Sequence, residues 1–128
     1  MKKRILFTAL LMLTACANHT AGVMASSTGE VRVDNNAFHR QVTVDNVQTR
    51  YEGAQLTASG TLTSQVATDV RVQYKFTWFD INGFAIEDEG SSWKPVKLHG
   101  KQQLQVRAVA PNNMAVRCQL YVREAFSN

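Results

Sequence analysis

A chain of 128 residues, 45% hydrophobic and 19% charged, is long enough for one small domain with its own core and too short for two. Its formal charge of +4 overstates any affinity for nucleic acid. Three of the 14 basic residues, Lys2, Lys3 and Arg4, crowd the N-terminus; the other 11 face 10 acidic residues, and a balance of +1 excludes a general phosphate-neutralising surface.

Behind those three cations, Ile5 through Leu13 is apolar apart from Thr8. A membrane-crossing helix needs about 20 such residues, so this shorter run reads as the hydrophobic region of a signal peptide. Leu13-Thr14-Ala15-Cys16 follows, and it resembles the lipobox of bacterial lipoproteins. The resemblance implies that residues 1–15 are removed and that the Cys16 thiol carries a diacylglycerol, so that acyl chains tie the protein to a membrane. Several such chains give stable attachment, at about 0.8 kcal/mol per buried methylene. That covalent lipid is the only non-protein group expected; no cofactor and no metal are. Ala17 stands where an Asp usually marks inner-membrane retention, so the expected address is the inner leaflet of the outer membrane, with the domain facing the periplasm. Residues 16–29, small and polar with no sustained period, read as the lipidated cysteine and a flexible tether, ahead of a domain over 30–128.

Along the domain, period-two alternation predicts strands. Val31/Val33 and Val42/Val44 suggest two near its start. Leu56, Ala58, Gly60 and Leu62 alternate with Thr and Ser, and Gly60 marks a bulge or a close backbone approach. From Val70 to Trp78 the even positions are apolar or aromatic and the odd ones polar. Asn82-Gly83 then predicts a hairpin with a type I′ turn. His99-Gly100 precedes a strand through Leu104, Val106 and Ala108. Pro111-Asn112-Asn113 separates it from a last one through Met114, Val116, Cys118, Leu120 and Val122. No segment of the mature chain carries a helical stripe, so the fold class is all-β, an antiparallel β-sandwich. One sheet is expected to hold the strands near 54–63 and 102–109, and the facing sheet those near 69–80 and 115–123. Tyr74, Phe76, Trp78, Val116, Cys118 and Leu120 would point into the core. With Cys16 used by lipid, Cys118 has no disulfide partner, and in an oxidising compartment it stays inert only if buried.

Tyr74-x-Phe76-x-Trp78-Phe79-Asp80-x-x-Gly83, followed by Trp93, resembles the YcfL family of small bacterial envelope lipoproteins over about residues 52 to 122. That resemblance implies an immunoglobulin-like sandwich, agrees with the lipobox, and brings no catalytic residues.

The residues that carry chemistry do not converge in the sequence. His19, His39 and His99 lack a second ligand at metal spacing and read as surface-loop histidines. No nucleophile elbow exists, and Cys118 alternates inward rather than facing an electropositive opening. Glu87-Asp88-Glu89-Gly90, with Asp80 and Asn82, offers oxygen ligands for calcium, but the spacing fits no calcium loop and reads as solvated acids. The outward face of the second sheet is the one notable surface. Its odd positions collect Arg71, Lys75, Arg117 and Arg123 with Phe79 and Tyr121. Such a face suits an anionic partner, although a merely solvated face, or one covered by an N-terminal strand, explains the same charges. The functional expectation is a non-catalytic interaction or scaffolding module of the cell envelope, bound to an envelope protein or the cell wall. The alternative is a carrier or chaperone-like domain holding a lipid or hydrophobic segment between its sheets.

Overall fold

The computed structural model describes residues 22–86 and 92–125. Among these residues, nine strands and one helical turn follow in order: β1 Gly22–Ser26, β2 Val31–Val33, α1 Asn36–His39, β3 Val42–Glu52, β4 Gln55–Ser64, β5 Val70–Phe79, β6 Ala85–Ile86, β7 Lys94–Leu98, β8 Gln103–Val109 and β9 Arg117–Glu124. All pairings are antiparallel. One sheet runs β2-β1-β9-β5-β6, with β7 also on β5; the other runs β3-β4-β8. The expected division of the four principal strands between two sheets holds, and the domain is an all-β sandwich.

Alternation places the core. From β5 and β9, Val72, Phe76, Trp78, Cys118, Leu120 and Val122 are buried; from the facing sheet, Val42, Val44, Leu56, Ala58, Leu62 and Val106 meet them. Gly60 sets the separation of the layers at their centre. A Cβ there would lie 2.5 Å from Leu120 Cδ2 and 3.3 Å from Val47 Cγ2, so a side chain on β4 at this point would force Leu120 to shift. The register of β3 against β4 shifts between Asp45 and Gln48, opposite Gly60, and Asn46 takes φ 55° within the shift. The close approach and the bulge expected at Gly60 are thus both present, the bulge in the partner strand. Phe38 enters the same core from α1, whose first turn is capped by Asn35 Oδ1 accepting from Phe38 N at 3.0 Å.

Four expectations need correction. The tether over 16–29 is shorter, because residues 22–26 form β1, paired with β9 on one side and β2 on the other. Its five residues are buried on both faces, so the segment lacks the polar/apolar alternation that marks a half-exposed strand and looks like a small-residue linker. The domain therefore includes residues before 30; Cys16 and residues 17–21 lie outside the described residues. The turn at Asn82-Gly83 is not type I′, since only Gly83 has positive φ (89°). Instead Asp80 Oδ1 accepts from Asn82 N at 2.9 Å and Phe84 N at 3.0 Å, closing a three-residue loop. Val116 and Met114 are exposed because β9 begins only at Arg117. Val116 instead donates its backbone N–H to Phe79 O at 2.9 Å. His39, expected in a loop, closes the short helix.

Candidate interaction face

On the outer side of the larger sheet, the register lays Lys75 beside Tyr121, Gln73 beside Arg123, Thr77 beside Gln119 and Phe79 beside Arg117. Strand β7 adds Lys97 beside Arg71 and Pro95 beside Gln73. The sequence phase was therefore right: Arg71, Lys75, Phe79, Arg117, Tyr121 and Arg123 share one face. They do not form one site. Arg71 and Arg117 sit at opposite ends of β5, roughly 26 Å apart at the rise of an extended strand.

Between those ends lies an organised centre. The Trp93 ring packs under two cations, with Arg123 Cζ 3.9 Å and Lys75 Nζ 5.3 Å from its centroid. Arg123 Nε donates to Gln73 Oε1 at 2.9 Å, a second contact that fixes the guanidinium over the indole. Tyr121 donates its hydroxyl to Gln119 Oε1 at 2.8 Å, and the Arg32 guanidinium lies 5.7 Å from the Tyr121 ring. Arg32 also pairs with Asp34 at 3.1 Å, the first of the interactions that raise its pKa. The Trp93 ring, together with the Gln73 amide on Arg123, thus helps to hold the central cations in place.

Sequence reasoning missed Trp93, Gln73, Lys97 and Arg32 as members of this face. Trp93 stands just before β7 and outside any alternating run, while Pro95 disguises β7 itself. Arg32 was legible: it is the outward residue of Val31-Arg32-Val33.

The other candidates have structural employment. Cys118 is fully buried, and burial pushes its thiol up to about 12. Its backbone N–H donates to Ser27 Oγ at 3.1 Å, and Ser27 N donates to Cys118 O at 3.0 Å, locking the loop after β1 onto β9. His99 Nδ1 lies 3.3 Å from Asp69 on the surface. Asp80 is committed to its turn, and Glu87, Asp88, Glu89 and His19 lie outside the described residues. No group of three or more His, Cys, Asp or Glu among the described residues is placed to hold a metal ion, and no described helix is long and apolar enough to cross a membrane.

Residues 29–124 match the family model described as DUF1425, protein of unknown function. A crystal structure of a DUF1425 family member from Shewanella sp. pv-4 is 63% identical, covering 84% of this chain and 99% of that one, with a TM-score of 0.65. The crystal structure of Campylobacter jejuni cj0090 is 23% identical, covering 64% of this chain and 85% of that one, with a TM-score of 0.56, a likeness of fold alone. No curated protein matches.

Proposed function

The chain belongs to the DUF1425 family, whose description names no activity, and from that premise we propose that it is a YcfL-type envelope lipoprotein. On this reading acyl chains on Cys16 hold it to the outer membrane, and it serves as a non-catalytic module that binds an acidic partner. The observation that carries the binding reading is the Trp93 centre, where Lys75 and Arg123 are fixed over one indole on an outward sheet face. Lys75, seated on the indole face, holds its ammonium at a fixed place on that outward face, where an acidic partner can meet it. Nearby, a groove of about 460 Å3 between Arg71, Gln73, Pro95 and Lys97 gives such a partner relief to grip.

The space between the sheets favours this reading over a carrier. Trp78, Leu62, Leu98 and Leu120 are among the fully buried side chains that fill it. Burial of Cys118 as a neutral thiol supports the non-catalytic part of the reading, since the thiolate is the nucleophile.

The test is in-cell photocrosslinking from position 77, between the Trp93 centre and Phe79. A discrete crosslinked envelope protein is expected, and Lys75→Glu with Arg123→Glu should abolish it while thermal unfolding stays cooperative. The same crosslink from the doubly reversed protein would refute the face.

A further inference from the structure

On the opposite side of the molecule, the outer face of the β3-β4-β8 sheet is a trough. The central strand presents only short side chains there, Thr57, Ser59, Thr61 and Thr63, while β3 and β8 raise long ones on either flank. Gln48, Ser59 and Arg107 form one cross-strand row; Arg50 stands beside Thr57, and Gln105 beside Thr61. The bulge opposite Gly60 sets this row, because it brings Gln48 rather than Val47 to the outer side. The hollow so formed has a volume of about 250 Å3.

Its charge is set at one end. Arg50 Nη2 and Arg107 Nη2 reach the same oxygen, Glu52 Oε2, at 3.0 and 3.2 Å, so one carboxylate holds two guanidiniums and leaves one positive charge over. Arg50, first among its partners, keeps the Glu52 carboxyl below the usual carboxylate range. Arg107 spends one N–H on this pairing and has further N–H donors for a ligand. Thr57 is tied down, its Oγ1 donating to Arg50 O at 3.1 Å. Gln48, Ser59 and Gln105 make no side-chain hydrogen bond to another described residue.

We propose that this trough is a binding site for a carboxylate-bearing sugar. Both edges of β4 are already paired, so a peptide lying in the trough finds no backbone ladder to join, and recognition must run through side chains. Two amides and a hydroxyl offer donors and acceptors in the paired form that vicinal sugar hydroxyls match, and the arginine end takes one carboxylate in forked geometry. The hollow falls below the roughly 300–1,000 Å3 of pockets for drug-sized ligands, which suits a single sugar ring. The site lies on the sheet opposite the Trp93 centre and needs no acylation, so either reading can fail without the other.

The experiment titrates the full chain with three probes while following the side-chain amide resonances of Gln48 and Gln105. Methyl β-glucuronide is expected to shift both. Methyl β-glucoside, which lacks only the carboxylate, and N-acetyl-alanylalanine, which lacks the sugar, should each bind at least tenfold more weakly. Arg50→Gln and Arg107→Gln, both at exposed side chains, should each weaken the glucuronide at least tenfold, and Arg71→Gln on the other sheet should not. No shift at tens of millimolar glucuronide, equal binding of either comparison probe, or unchanged affinity in both arginine variants would overturn the site.

Discussion

A protein trimmed to begin at Glu30, as the linker-like composition of the preceding residues invites, should lose most of its stability. The cut removes β1, and with it Val23 at 2%, Met24 at 4% and Ala25 at 4% exposure. Burial contributes about 1.5–3 kcal/mol for each of the two larger side chains and about 0.8 kcal/mol for the alanine methyl, or about 4–7 kcal/mol together. Two further losses add to this. Strand β2, which pairs only with β1, is stranded, and the edge of β9 from Gln119 to Arg123 is opened. Small domains have about 5–15 kcal/mol in all, so the shortened protein should be partly or wholly unfolded. Urea unfolding followed by Trp fluorescence compares it with the chain beginning at Ala17. At a typical slope of about 1–3 kcal/mol per molar, the midpoint should fall by about 2 M or the transition should vanish. Val23→Ala, in the chain beginning at Ala17, should give a smaller fall in the same direction. Midpoints within about 0.5 M of one another for the Ala17 and Glu30 chains would show that β1 contributes nothing to the core, and the reasoning fails.

Other outcomes follow from single residues. Gly60→Ala should cost about 1–3 kcal/mol by overpacking against Leu120, and adding Leu120→Ala should cost less than the sum of the two alone; strict additivity in urea unfolding refutes the contact. The Cys118 thiol ionises near 12 when folded and near about 8.5 when exposed, so the unfolded state loses its proton first. Stability is therefore fully present below about pH 8.5 and declines toward pH 12, by up to about 1.4 kcal/mol per unit from this group. Cys118→Ala should show a shallower decline between pH 9 and about 11, and equal slopes count against the burial argument. Mass spectrometry of the protein purified from membranes should find a diacylated first residue at Cys16, and Cys16→Ala should remain uncleaved; a free Cys16 thiol contradicts the anchor.

Legibility in the sequence followed exposure. Strands with one wet and one dry face, β4, β5, β8 and β9, announced themselves through alternation, and their partition between two sheets could be read from it. Strand β1 could not, because it is covered on both sides and composed of small residues. Strand β7 hid behind Pro95, which an edge strand tolerates and a sequence reading takes as a break. The cation strip was visible as a phase, whereas its centre was not, since Trp93 arrives from outside the strands. The trough was invisible for another reason. It depends on a one-residue bulge that changes which side of β3 faces outward, and only the register reveals it.

On the proposed reading of Cys16 as the acylated first residue, the anchor lies close to the domain. Five residues separate Cys16 from Gly22, so even a fully stretched connection spans only about 20 Å. Gly22 registers with Arg123, which puts the exit of the leash at the basal rim of the cation strip. An acylated molecule would thus ride low on its bilayer, with the Trp93 centre at headgroup height and the Ile81–Phe84 tip about 20–26 Å farther out at the rise of an extended strand. On that reading, a partner docking on the strip would itself work within reach of the lipid surface.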